Sequence, residues 1–393
     1  MPNFVFRKAV SFGLLVFGLC VASFAQSDGD FKANPDAGAG NVLVHSKFGG
    51  QIFGFDIDQN GTTGVLTEAQ TLGSGNVLAA VETFDQATGK ILKVVAKTQS
   101  QDDFVTFGIV GNSVGLVMRE HVVSFLDVRR TYQVINPLST NQWTGSWTPP
   151  LQKNELLEQV SRNQGVANSA VLGFLNGGDF HQFVFGTNVA ANTFGRKVSL
   201  TDPTFTSSPH LAFDSKRNVA VVAASDGAVG GPPPKIAQIN LTTGSVRTFI
   251  GIPGPPPFHQ GFINGLAVDS ADGIAVTTTE IDFSVQFYDL AKGTGFSQIL
   301  PGATSQLQSG ADVEFDPVNK VFLVAQPVSS TSFAGSSIHV YDTKGNLVES
   351  VNGLNFSNTF NVIPAHIGFN PTTRSGFIDG PDEGVTELQS FTY

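Results

Sequence analysis

A chain of 393 residues with 22 basic and 32 acidic side chains carries a formal charge of −10, and only 14% of its residues are charged. That balance argues against nucleic acid or an anionic membrane as a partner, because both select a concentrated positive face. One cysteine, Cys20, leaves no disulfide framework, while 43 glycines and 34 phenylalanines suit many short buried strands joined by tight turns.

The first 25 residues read as a secretory signal. Arg7 and Lys8 supply the positive start, Ala9 to Ala25 is apolar or small without a charge, and Ser23 and Ala25 place cleavage before Gln26. The run is short for a membrane span, which makes an uncleaved anchor the lesser reading, and Leu19 ahead of Cys20 does not suit a lipoprotein site. Removal leaves 368 residues (393 − 25) with 20 basic and 32 acidic side chains (20 − 32 = −12) and no cysteine. The expected protein is therefore exported, periplasmic or secreted, and held together by its core. Residues 26–40 are small and polar and read as a flexible leader; 41–393 read as one domain.

From Asn41 onward a phrase recurs seven times: an apolar residue, Asp or Asn, turn formers, then an apolar run. The copies are TFDQATGKIL (Thr83 to Leu92), FLDVRRTYQV (from Phe125), FLNGGDFHQF (from Phe174), AFDSKRNVAV (from Ala212), AVDSADGIAV (from Ala267), EFDPVNKVFL (from Glu314) and GFNPTTRSGF (from Gly368). Within Ala212 to Ile250, AF closes a first strand begun at His210, VAVVAA is a second, KIAQIN a third and SVRTFI a fourth. Beta-branched and aromatic residues bounded by turn formers favour strand over helix. A second turn signature, expected between third and fourth strands, appears from Phe53, Gln238, Phe287 and Val340. Two signatures per unit predict an all-β fold, a β-propeller of seven blades with four antiparallel strands each, with eight blades as the alternative. Asn41 to Gln70 reads as second, third and fourth strands, and His366 to Tyr393 as first, second and third, so the two ends are expected to pair. Leu151 to Arg162 (LQKNELLEQVSR) has helix-like spacing and reads as an insertion between blades.

Propeller geometry sorts the polar residues. Loops entering first strands and loops joining second to third share the channel-mouth face; the two recurring turns lie opposite. His210, Asn264, Asp312 and His366 stand just ahead of or at inner strands, with His259 slightly upstream. Asp102, Asp103, Asp226, Glu280, Asp282, Asp382 and Glu383 fall in second-to-third loops of the same face. Together they predict an acidic, polar pocket able to hold a small polar ligand; histidine with carboxylate also suits a divalent cation. The plainer reading is a hydrated channel mouth without a ligand.

Other features read as structural. Asp56 to Gly61 imitates the start of a calcium loop, but Thr67 stands where the bidentate acid belongs, with Glu68 one place late, so a hairpin turn is expected. Asp85, Asp127, Asp214, Asp269 and Asp316 are turn starters whose carboxylates accept local backbone N–H groups. Trp143 and Trp147 share one strand face and read as packing before sugar stacking. Proline runs at 230–234 and 253–257 read as stiff loops before partner motifs. No Ser-His-Asp elbow, phosphate loop or dinucleotide fingerprint is present.

The phrases NVLVHSKFGGQIFGFDIDQNGT and SSIHVYDTKGNLV resemble repeats of the large seven-bladed group that includes YVTN-repeat and lactonase-type proteins. The resemblance implies a fold; the group's members include sugar-lactone hydrolases, binding scaffolds and surface proteins, and no lactonase catalytic residue maps here by motif. The expected function is a non-enzymatic, monomeric binding scaffold for a protein or small polar ligand. A metal-assisted lactone or ester hydrolase and a structural envelope module are the alternatives. No cofactor is implied beyond a possible divalent cation.

Overall fold

The computed structural model describes residues 32–59, 61–72, 76–100, 103–111, 114–124, 127–135, 143–147, 156–162, 169–176, 179–188, 197–199, 210–224, 235–250, 263–279, 283–304, 308–328, 334–356, 366–379 and 387–393. Between 103 and 199 it describes strand pairing, with side chains only at 161 and 169–173. Every regular element among these residues is a strand.

After β1 (Gly38–His45), the strands follow in groups of four. The first sheet is β2 (Gln51–Ile57), β3 (Thr63–Thr71), β4 (Val77–Asp85) and β5 (Ile91–Ser100). The second is β6 (Asp103–Gly111), β7 (Val114–Ser124), β8 (Asp127–Ile135) and β9 (Trp143–Trp147). The third is β10 (Leu156–Arg162), β11 (Ser169–Asn176), β12 (Asp179–Asn188) and β13 (Lys197–Ser199). The fourth is β14 (His210–Asp214), β15 (Val219–Ala224), β16 (Lys235–Asn240) and β17 (Val246–Ile250). The fifth is β18 (Ile263–Asp269), β19 (Ile274–Thr279), β20 (Ser284–Asp289) and β21 (Thr294–Ile299). The sixth is β22 (Asp312–Asp316), β23 (Val321–Gln326), β24 (Ala334–Asp342) and β25 (Leu347–Asn355). The last is β26 (Ile367–Asn370), β27 (Ser375–Asp379) and β28 (Glu387–Thr392), completed by β1 as its outer strand. Leading strands touch in cyclic order, β2 to β6, β10, β14, β18, β22, β26 and back to β2. Four-stranded antiparallel sheets arranged radially in a closed ring are a β-propeller.

Ring closure joins the two ends of the chain, with His366 to Tyr393 supplying first, second and third strands as expected, but the N-terminal strands divide differently. Residues 41–70 supply the last sheet's outer strand and then the first two strands of the next sheet, since β1 pairs with β28 from Gly38↔Thr392 to His45↔Glu387. Among the described residues strand pairing begins at Gly38, and Asn34 is already tied down: its backbone N–H donates to Glu349 and its side chain to the Tyr393 carbonyl. The expected helix over Leu151 to Arg162 is overturned. Residues 156–162 form β10, paired with β11 from Leu156↔Leu175 to Arg162↔Ala170. A register shift between Leu157 and Gln159 resets the strand's alternation, so apolar residues at 156, 157 and 160 imitate helical spacing.

The seven phrase copies do not all occupy one position either. Four join first to second strands, at β14–β15, β18–β19, β22–β23 and β26–β27. Those from Phe125 and Phe174 fall between second and third strands, and Thr83 to Leu92 spans the third-to-fourth turn. Conversely, Asp56 to Gly61 lies at a first-to-second turn. Asp, Asn and Gly serve every tight hairpin equally well, so the phrase marks a turn without fixing which one.

The core lies between neighbouring sheets. Phe287 of β20 meets Phe322 of β23 edge-on at 6.2 Å and Tyr341 of β24 at 5.8 Å, all three buried. Val44, Leu66, Phe84, Phe377 and Leu388 close the seam between the last and first sheets. Each such side chain contributes roughly 1.5–3 kcal/mol on burial.

Candidate functional site at the channel mouth

The repeated carboxylates settle as turn anchors. Asp214 accepts the Arg217 N–H, Asp269 those of Ala271 and Asp272, and Asp316 those of Val318 and Asn319. Asn370 takes the N–H groups of Thr372 and Thr373 in the same way. Four residues after each anchor the backbone turns left-handed, at Asn218 (φ 52°), Gly273 (75°), Lys320 (57°) and Arg374 (51°). Asp85 binds Thr88 N–H at a third-to-fourth turn, while the Asp127 side chain lies outside the described residues. Side chains on this face also lace adjacent sheets: Arg217 donates to the Ser270 carbonyl, Asn319 to that of Pro371 and Asn370 to that of Gly61. The calcium-like segment is a hairpin, with Asp58 N–H donating to the Thr63 carbonyl.

On the opposite face, four candidate residues open four successive inner strands. His210 begins β14, Asn264 is second in β18, Asp312 begins β22, and His366 immediately precedes β26. They form a series in which each strand start holds the next. The His210 ring hydrogen-bonds the Ile263 backbone. The Asn264 amide donates to the Gly310 carbonyl at 2.8 Å. Asp312 Oδ2 accepts the Ile367 N–H at 2.9 Å, while its Oδ1 accepts the Val313 N–H at 2.8 Å. Glycine at 265 permits this approach, because a Cβ there would lie 2.6 Å from Val313 N.

Asn264 and Asp312 are buried and engaged in these ties, whereas the His366 side chain is 45% exposed, its Nδ1 4.0 Å from Asp312 Oδ2. Burial, followed by the charge of His366, pushes His210 down to about 4, so it is neutral at pH 7. The mouth therefore presents one neutral, inset histidine and one outward histidine beside a carboxylate, which suits hydrogen bonding to a polar group. His259, Glu280, Asp282, Asp102, Asp226, Asp382, Glu383 and both proline runs lie outside the described residues; Asp103 opens β6. Among the described residues no three His, Cys, Asp or Glu side chains gather as a metal site.

Two acids were not singled out from sequence as a pair. Glu68 on β3 and Glu82 on β4 are both fully buried beneath the loop joining β1 to β2, on this same face. Lys47 N–H donates to Glu82 Oε2, and the Phe48 and Gly50 N–H groups donate to Glu68. Burial foremost raises Glu82 to about 7, with further upward pressure from Glu68 against the opposing Lys47 N–H bond. The available signal was an acid inside an otherwise apolar or small strand, as in GVLTEA and AAVETF.

No family model matches the chain, and no curated protein matches it. Solved structures do. A chain of the mitotic checkpoint complex is 11% identical with a TM-score of 0.57, covering 99% of both chains. The RRP9 WD40 repeats are 13% identical with a TM-score of 0.57 over 91% of this chain and 98% of that one. The Cps50 (Swd1) β-propeller domain of Myceliophteria thermophila is 8% identical with a TM-score of 0.53 over 90% and 99%. At such identities the likeness concerns the fold alone. It supports a propeller of repeats and does not reach the YVTN-repeat or lactonase-type group.

Proposed function

We propose that this chain is an exported propeller scaffold that binds a protein or a small polar ligand through its channel-mouth face. The observation that carries the reading is the series His210, Asn264, Asp312 and His366. Three ties between consecutive inner strands make a rigid polar rim, from which His366 projects half into solvent. A preformed rim with few mobile groups loses little freedom on binding. Export rests on the segment Arg7 to Ala25, and placement in the YVTN-repeat or lactonase-like group rests on the two phrases quoted above. One structural neighbour is a chain of the mitotic checkpoint complex, and membership of a complex is the part extended to this chain.

The test immobilises the mature chain and measures, by quantitative mass spectrometry, what it retains from an extracytoplasmic extract of its source. His366→Ala alters the rim, and Lys90→Glu alters an exposed turn on the opposite face. Loss of retained protein in the first variant alone supports the mouth. Equal retention by both variants contradicts it.

A further inference from the structure

The loop from Ser46 to Gly50 carries the chain across the ring's closing seam, from the outer strand of the last sheet to the leading strand of the first. It is held from below by acids. Glu82 Oε2 receives Lys47 N–H at 3.0 Å; Glu68 Oε1 receives Phe48 N–H at 3.0 Å and Oε2 receives Gly50 N–H at 2.9 Å. Gly50 has to be glycine for this, since a Cβ would lie 2.7 Å from the Ala69 carbonyl oxygen and 2.9 Å from Glu68 Oε2. The two acids are diagonal neighbours on one sheet face, Glu68 opposite Ala80 and Glu82 opposite Leu66. Both side chains are fully buried, and among the described residues Glu82 Oε1 has no hydrogen-bond partner. Two carboxyl groups buried as neighbours on one sheet face disfavour a second negative charge, so one of them holds its proton.

We propose that Glu68 and Glu82 share one proton and that this proton latches the Lys47–Gly50 loop onto the channel-mouth face. Losing it to alkali leaves two buried anions side by side and loosens the loop. Among the described residues two lysines stand near the pair. Lys47 lies in the loop itself and is exposed, and Lys97 of β5 sits over the Phe48 ring at 4.2 Å. The seam beside them is lined by Val44, Phe377 and Leu388 of the last sheet. Lys47 is the cation whose charge opposes the rise at Glu82, and burial outweighs it. Burial and like charge both favour the protonated form of one member, which agrees with the raised proton affinity of Glu82. The inference concerns the fold's own proton and does not depend on the binding proposal.

Hydrogen exchange on the full mature chain tests it. Protection of the Lys47, Phe48 and Gly50 amides, corrected for the intrinsic pH dependence of exchange, is compared between pH 5.5 and pH 8.5 in the wild type and in Glu82→Gln. The glutamine keeps an acceptor for Lys47 N–H and donates to Glu68 without a proton to lose. The expected result is a loss on the order of tenfold in wild-type protection across that range, with little change in the variant. Flat wild-type protection, or an equal fall in both proteins, overturns the latch. Carbon-13 titration of the wild-type glutamate carboxyls supplies a second reading that needs no variant. One carboxyl titrating near neutrality supports the shared proton; both titrating in the ordinary acid range refute it.

Discussion

Asp312, expected at the ligand site, also ties two inner strands together, and Asp312→Ala measures that tie. The carboxylate is buried and accepts two backbone N–H groups, from Val313 at 2.8 Å and from Ile367 at 2.9 Å across the seam to β26. Alanine leaves both donors without that acceptor. An unsatisfied buried donor costs about 1–3 kcal/mol, and water entering from the channel offsets part of the loss. The net destabilisation is therefore expected near 2–4 kcal/mol, with Asp312→Asn losing about half as much because its one carbonyl oxygen still accepts. His366→Ala removes a half-exposed ring and is expected to cost under about 1 kcal/mol. Urea unfolding followed by far-ultraviolet circular dichroism measures all three, read as midpoints at a common slope. Asp312→Ala within about 0.5 kcal/mol of wild type would refute the inter-strand tie.

Two pH predictions run in opposite directions. Glu82, raised from 4.5 to about 7, binds its proton more tightly when folded, so its contribution is full below 4.5 and is lost as pH rises through 7. Glu82→Gln should accordingly raise stability above pH 7, by up to about 3 kcal/mol, and change little at pH 4.5; an unchanged midpoint at pH 8.5 contradicts this. His210 and His339, both lowered from 6.5 to about 4 chiefly by burial, contribute fully above pH 6.5 and lose that contribution as pH falls through 4. Thermal melts between pH 6.5 and 4 should show falling stability, less steep in His339→Gln; an identical slope in both proteins counts against it. Gly265→Ala drives a Cβ to within 2.6 Å of Val313 N and should cost about 1–3 kcal/mol in urea unfolding, with a neutral result showing that β18 and β22 can part at no cost.

The unit from His210 to Ile250 shows how far local pattern carries. Its four strands fall where the apolar runs and turn residues place them, and Asp214 anchors a turn as its type suggests. The same reasoning misread 151–162, because a register shift in β10 disguises alternation as helical spacing. It also misassigned the N-terminal strands, since nothing local in NVLVH says that its partner is β28, more than 300 residues away. At the channel mouth, the residue types were legible but their work was not. Asn264 and Asp312 spend their hydrogen bonds on Gly310 and Ile367, 46 and 55 residues along the chain, which only the ring brings near. Glu68 and Glu82 escaped for the same reason: each looks like an isolated acid until sheet pairing sets one diagonal to the other.

The central claim is that the rim around His366 is where a partner sits. The direct measurement is hydrogen-exchange footprinting of the mature chain, free and in complex with the most abundant protein it retains from an extracytoplasmic extract. The account predicts new protection in the peptides opening β14, β18, β22 and β26, with the Asp214, Asp269 and Asp316 turns on the opposite face unchanged. Protection confined to those turns or to the outer strands, with the rim unaffected, would contradict it.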